Sequence, residues 1–293
     1  MFLSMPSSTT PTAAGRLVAI TGGARGIGRA TAATLVARGA AVAIGDVDLD
    51  LARETAARLG PSAVALPLDV TDPDAFAAFL DEAEQRLGPL YALVNNAGIM
   101  PISPFCEEED AAQRRTLDIN VHGVITGSRL AIARMLPRGQ GHVVNVASQA
   151  GKLGAAGLAT YCASKFAVVG LCEALRAELH GTGIAVSCIL PAVVNTDLTA
   201  GVTDAPRILR IEPEDVADAI ADTLDRPRAE VFVPRAAAAG YRAGGLLSPR
   251  VRDALLRRLG ADRVMAAAHG SAARRAYEAR AAGDSPTPEA RIR

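Results

Sequence analysis

The stretch from Leu17 to Arg38 restricts the fold more than any other in the chain. A five-residue apolar run, Leu17 to Thr21, passes through Gly22-Gly23-Ala24-Arg25-Gly26-Ile27-Gly28 into an Ala-rich stretch with helical spacing. A short apolar run suits a strand buried on both faces, and the glycines let the backbone turn at once into a helix. The pairing recurs. Further strands are predicted at Ala41 to Gly45, Ala63 to Leu68, Leu90 to Asn95, His142 to Ala147, Ile184 to Leu190 and Glu230 to Val233. Helices are predicted near Asp48 to Leu59, Asp72 to Arg86, Asp110 to Leu136, Leu158 to His180 and Glu212 to Leu224. Thr71-Asp72-Pro73 supplies a polar cap and a first-turn proline. Strict alternation predicts an α/β chain: a doubly wound parallel seven-stranded sheet in three α/β/α layers, followed by a C-terminal helical extension. In such sheets ligands bind beyond the carboxyl ends of the strands, where the strand order reverses.

Composition narrows the functional classes. The chain is 49% hydrophobic but only 3% aromatic, without Trp, so its core is built from Ala, Val, Leu and Ile, as suits helices on a parallel sheet. Zero formal net charge and few stacking aromatics argue against nucleic acid as a partner. Cys106, Cys162, Cys172 and Cys188, with four scattered histidines, offer no metal-ligand spacing, so no metal site is expected. The cysteines read as small buried hydrophobes of a reducing compartment. The N-terminus has neither the basic region nor the apolar run of a signal peptide, so a soluble cytoplasmic chain is expected.

Four stretches follow: a disordered tail over 1–14, an α/β domain over 15–234, a basic helical extension over 235–280, and a second disordered tail over 281–293. Residues 235–293 hold 12 Arg against 5 acidic residues, about +7, while the preceding 234 carry 19 basic and 26 acidic residues, about −7. Arg250 to Leu259 has an amphipathic basic pattern, with Val251, Leu255, Leu256 and Leu259 on one face. Packing on the main domain or on a subunit neighbour is its expected role; contact with a membrane surface is the alternative.

The glycine turn is the first candidate site. Glycines there let the backbone approach a pyrophosphate, and the free N–H groups and dipole of the following helix favour its negative charge. The spacing Gly22, Gly26, Gly28 within Thr21-Gly22-x-x-x-Gly26-x-Gly28 resembles the signature of the classical short-chain dehydrogenase/reductase family. The resemblance continues through Asn95-Asn96-Ala97-Gly98, Asn120, Ser148, Tyr161 and Lys165, in the family's order and spacing, and covers residues 16 to about 234. It implies a Rossmann fold, a nicotinamide dinucleotide, an alcohol or ketone as small-molecule substrate, and a homodimer or homotetramer. It also implies a cofactor site comprising Gly22, Arg25, Gly26, Ile27, Gly28, Asp69, Val70, Asn96, Ala97, Gly98, Tyr161, Lys165, Pro191, Val194 and Thr196. In it Asp69-Val70 meets the adenine, Asn96 and Ala97 line the adenosine, and Thr196 holds the nicotinamide amide. Pro191-Ala192 departs from the family's usual Pro-Gly.

Asp46 closes the second predicted strand, where a carboxylate accepts hydrogen bonds from the ribose hydroxyls and repels a 2′-phosphate. Arg25 points the other way, because a basic residue at that place is common among members that use NADP. Asp46 is given the greater weight, and Val47 stands where a phosphate-binding Arg is often found. NAD is therefore expected over NADP.

Tyr161 and Lys165 lie one helical turn apart on a single face. The spacing alone would arise by chance in about one such chain in thirty. A phenol titrating near 10 is a poor base at neutral pH, and an ammonium at about 4 Å would favour the phenolate by about 4 kcal/mol at an effective dielectric of about 20. Ser148 follows the fifth strand, where its hydroxyl can hold the substrate oxygen. Asn120, by resemblance, binds a water that relays protons from the lysine. These four form the expected catalytic set, with Tyr161 as general acid and base. Two alternatives were weighed. An epimerase of the extended branch requires Thr-Gly-x-x-Gly-x-x-Gly, which this chain lacks; a non-catalytic dinucleotide sensor would be free to lose a catalytic group, and none is missing. Met100, Ile102, Phe105, Leu153, Leu158, Val193, Val194 and Leu198 fall in the loops after the strands, predicting an apolar substrate pocket of steroid-like size, with a mobile lid over about 195–210.

Overall fold

A computed structural model of the protein describes residues 13–202, 210–245, 247–258 and 268–282. Seven parallel strands form the central sheet: β1 (Leu17–Thr21), β2 (Ala41–Asp46), β3 (Ala63–Pro67), β4 (Leu90–Asn95), β5 (Gly141–Val146), β6 (Ile184–Pro191) and β9 (Glu230–Val233). Their order is β3-β2-β1-β4-β5-β6-β9, so the chain winds outward from β1 one way and then, after β3, returns to pair β4 on β1's other side. That reversal opens a crevice at the carboxyl ends of β1 and β4. The doubly wound, three-layer architecture expected from the alternation is the one found. β7 (Val193–Val194) and β8 (Arg210–Ile211) add a small parallel pair that the sequence pattern did not disclose.

Helices α1 (Gly26–Ala37), α2 (Leu49–Leu59) and α7 (Pro213–Asp225) cover one face of the sheet, and α3 (Pro73–Leu87), α5 (Gly123–Met135) and α6 (Ala159–Glu178) the other. Capping fixes where several begin. The Asp72 carboxylate accepts from the Asp74 and Ala75 amides ahead of Pro73, and Glu212 and Asp215 form a reciprocal capping box around Pro213. The helix expected without interruption from Asp110 to Leu136 is broken. α4 (Asp110–Leu117) passes through a π-helical turn at Asp118–His122 into α5, because the Asn120 side chain is held by groups outside the helix.

Ala13 is buried in a turn ahead of β1, so ordered structure begins within the stretch expected to be tail. Beyond β9 the chain forms α8 (Ala237–Gly245), α9 (Pro249–Arg258) and α10 (Ala272–Ala282). α10 reaches into the stretch expected to be disordered from 281; residues 283–293 lie outside the described residues, as does Leu259. In α9, Val251 is exposed. Cys162, Cys172 and Cys188 are buried, whereas Cys106 is exposed, contrary to the expectation that all four pack inside; it lies on a short 3-10 turn outside the core. Among the described residues no helix is long and apolar enough to cross a membrane.

Candidate active site

The loops after β1, β4, β5 and β6 converge on one cleft of about 2220 Å³, larger than the usual drug-sized pocket of roughly 300–1,000 Å³. It has room for a dinucleotide and a second ligand. Of the residues singled out from sequence, Gly22, Arg25, Gly26, Ile27, Asp46, Asp69, Val70, Asn96, Ala97, Gly98, Ser148, Tyr161, Lys165, Pro191, Val194 and Thr196 all line it. Gly28 and Asn120 stand behind the wall.

At the glycine turn, close packing dictates residue type. A Cβ at Gly28 would lie 2.3 Å from the Gly22 carbonyl oxygen and 2.7 Å from Asn96 Nδ2, and Gly22 has φ +64° with Ala97 pressed against it. Asn96 donates to the carbonyls of Thr21 and Gly22, at 3.0 and 2.9 Å, pinning the loop after β4 to the turn. The amino end of α1 has no side-chain cap and no acidic residue in its first turn, whereas α2, α3 and α7 each carry one there. Its positive dipole end is therefore left to an external anion, which fits a diphosphate.

Asp46 is held by two backbone amides, Ala24 N at 2.9 Å to Oδ2 and Asp48 N at 3.0 Å to Oδ1. Each oxygen keeps lone pairs toward the cleft. Arg25, the residue that pointed toward a 2′-phosphate, donates to the Asp48 carboxylate at 2.5 Å and lies 3.9 Å from Asp197. Its charge is already answered.

At the other end of the cleft, α6 places Tyr161 and Lys165 on one buried face, and Ser148 lines the same end of the cleft. Lys165 Nζ donates to the Val146 carbonyl at 3.0 Å and lies 5.7 Å from the centre of the Tyr161 ring. Burial pushes the Tyr161 phenol well above its ordinary value, opposed in part by the nearby Ser148 hydroxyl. The sequence-based expectation has the lysine drawing the phenol toward neutrality; burial works against that at both groups and lowers Lys165 itself to about 8.

Asn120, fully buried, donates from Nδ2 to the Ile99 carbonyl at 2.9 Å and to Ser164 Oγ at 3.1 Å, and its Oδ1 accepts the Ile99 amide at 2.9 Å. Its side chain therefore fixes the backbone after Gly98. Of the apolar residues expected in the pocket, Met100, Leu153, Leu158, Val193, Val194 and Leu198 line the cleft; Ile102 is buried beneath it, and Phe105 points to solvent on its 3-10 turn. Residues 203–209 of the expected lid lie outside the described residues. Among those described, no group of side chains has the makings of a metal site.

Sequence reasoning missed the contribution of the chain's end. Tyr277, Arg280 and Ala281 of α10, with Tyr241 of α8, also line the cleft. The one signal was Tyr277 itself, the sole aromatic after Tyr241.

Comparison with known proteins agrees with this geometry. The family model for short chain dehydrogenases matches residues 16–207. Sorbitol dehydrogenase of Cereibacter sphaeroides is 41% identical over 189 residues, covering 64% of this chain and 74% of the relative. A 3-alpha-(or 20-beta)-hydroxysteroid dehydrogenase of Mycobacterium bovis is 37% identical over 185 residues, 63% of this chain and 71% of the relative. The crystal structure of a short chain dehydrogenase/reductase from Burkholderia phymatum in complex with NAD superposes with a TM-score of 0.73 at 26% identity, covering 79% of this chain and 93% of that one. With its glycine turn, its switch-point cleft and its buried Ser-Tyr-Lys group matched by a family model over most of its length, the chain belongs to the short chain dehydrogenase family.

Proposed function

We propose that the protein is an NAD(H)-dependent oxidoreductase that interconverts a secondary alcohol and a ketone on a small, largely apolar substrate. The observation that carries the reading is the meeting of Ser148, Tyr161 and Lys165 in the cleft whose other end is the uncapped amino terminus of α1. Relatives named for sorbitol and for a hydroxysteroid act on hydroxyl-bearing substrates, and the structural neighbour holds NAD.

A nicotinamide dinucleotide bound along the cleft would supply the hydride acceptor or donor and, when oxidised, a positive ring. Gly22, Gly26 and the first amides of α1 would hold its diphosphate, and Asp46 its adenosine ribose. Ser148 would position the substrate oxygen against the Tyr161 hydroxyl. Kept protonated by burial, Tyr161 suits donation of a proton to a ketone oxygen; in the oxidative direction it would first release its proton to solvent and then, as phenolate, take the alcohol proton, with Lys165 supplying positive charge below pH about 8. Asn120 would keep the Ile99 backbone and the neighbouring Gly98 in place beside the lysine. NAD is favoured over NADP because Asp46 would stand against a 2′-phosphate while Arg25 is committed to Asp48. As in its family, a homodimer or homotetramer is the expected assembly.

The test is a screen of NAD and NADP against secondary alcohols, with Tyr161→Phe as control. Turnover with NAD is expected to exceed that with NADP by about 100-fold or more, and Tyr161→Phe to lower kcat by about 10²–10⁴-fold while NADH affinity changes less than about twofold. Full activity in Tyr161→Phe would sink the assignment, and activity with NADP alone would overturn the reading of Asp46.

A further inference from the structure

The C-terminal helix α10 lies outside the segment matched by the family model, yet it forms one wall of the cleft. Its position is set by contacts to both loops that frame the site. The Tyr277 hydroxyl accepts the Met100 amide at 3.0 Å, and Glu278 Oε1 accepts the Ile102 amide at 3.1 Å. Ahead of the helix, His269 Nδ1 bonds the Ile102 carbonyl at 2.8 Å. On the opposite side, Arg274 Nη1 donates to the Leu198 carbonyl at 2.8 Å. The Arg274 guanidinium is fully buried, pairs with Glu278 at 2.8 Å, and lies 4.4 Å from the centre of the Tyr277 ring. A buried guanidinium is costly unless held by such partners, so α10 docks in one position and the Tyr277 ring is clamped.

This leaves two polar functions of the wall uncommitted, Arg274 Nη2, buried without a partner among the described residues, and the phenolic hydrogen of Tyr277. The Tyr277 oxygen accepts a hydrogen bond, but its phenolic hydrogen has no protein acceptor among the described residues, although the side chain is 93% buried and lines the cleft. Its closest partners are the Met100 amide and the Arg274 guanidinium, with Glu278 and Arg280 also near, while Met100, Leu158 and Leu198 add apolar surface to the cleft. Burial holds the phenol protonated, as a donor, at neutral pH. A buried donor without a protein partner that lines a substrate-sized cleft is met by water when the cleft is empty and is placed to meet an oxygen of a bound ligand.

We propose that Tyr277 is a substrate-binding residue that donates its phenolic hydrogen to a second oxygen of the substrate, so that the enzyme selects secondary alcohols and ketones carrying another carbonyl, hydroxyl or carboxylate oxygen on an apolar frame. This rests on the function proposed above and adds the substrate class. A site built to hydrogen-bond a substrate oxygen discriminates strongly against the analogue that lacks it, because the buried donor is then left unpaired.

Two ketone pairs of different span test it: cyclohexanone with 1,4-cyclohexanedione, and 5α-androstan-3-one with 5α-androstane-3,17-dione, each reduced with NADH by the full-length enzyme. In at least one pair the wild type is expected to prefer the dioxygenated member in kcat/KM by about tenfold or more. Tyr277→Phe is expected to abolish that preference through the KM of the dioxygenated member, bringing the kcat/KM ratio of the pair to about one, with NADH binding, followed by fluorescence, unchanged. A merely structural role, holding Met100, would lower both members alike, and that result overturns the proposal; so does a wild type with no preference in either pair. Failure of the underlying function looks different. There, no ketone is reduced, or Tyr161→Phe reduces them as well as the wild type, and the substrate inference falls with it.

Discussion

Lys165 shows how far a single side chain can be taken from its ordinary chemistry. It is 5% exposed, its ammonium bonds a backbone carbonyl, and burial lowers it from 10.5 to about 8. Between about pH 8 and 10.5 an unfolded chain would hold a proton that the folded lysine has shed. Stability due to this group therefore rises with pH across that window and is lowest below it. Lys165→Met removes the dependence. The melting temperature of the wild type relative to the variant is expected to rise by roughly 5 °C between pH 7.5 and 10, measured by thermal denaturation, with the variant inactive throughout. A constant difference would show that the lysine is not perturbed in this way. The identities of Tyr161, Lys165 and Ser148 were legible because a chemical task demands those residue types at a helical spacing. Their titration was not, since desolvation depends on everything packed around them.

Elements explain both what the sequence disclosed and what it hid. All seven central strands were visible as short apolar runs, because a parallel strand buried on both faces leaves few polar positions. The π-helical turn at Asp118–His122 was not, since nothing in the local pattern announces that Asn120 will bond to Ile99, 21 residues earlier in the chain. β5 carries a second hidden feature. His142 is 1% exposed at the center of the sheet, its Nε2 is 2.8 Å from Ser187 Oγ, and Nδ1 has no partner. Burial lowers it from 6.5 to about 4. Below pH 6.5 the unfolded chain takes up a proton that the folded strand refuses, so stability is lost as pH falls from 6.5 toward 4, by about 3 kcal/mol in all. His142→Gln, neutral throughout, is expected to lack this part of the acid slope in denaturant titrations at pH 7, 5.5 and 4.5. Parallel slopes in the two proteins would contradict it.

At the scale of the whole molecule, the cleft draws walls from chain segments more than 250 residues apart, from Gly22 to Arg280. A ligand seated there is bound by the folded state alone, so NADH should raise the melting temperature with the logarithm of its concentration. The gain is about 2.7 kcal/mol at 100 times Kd, or roughly 5–10 °C for a chain of this size. NADPH at equal concentration is expected to give less than half that shift, and equal shifts would count against the role assigned to Asp46. The core architecture was readable because alternation is a local property repeated along the chain. The docking of α10 was not, because a helix rich in Ala and Arg carries no mark of the surface it will find.

That docking separates the molecule's history into two parts. The residues proposed to handle hydride and proton lie within the stretch shared with relatives, while Tyr277 and Arg274 lie beyond it. On the roles proposed for these residues, the reaction and the choice of its object sit in different stretches of the chain, so two proteins nearly identical up to residue 207 need not consume the same compound.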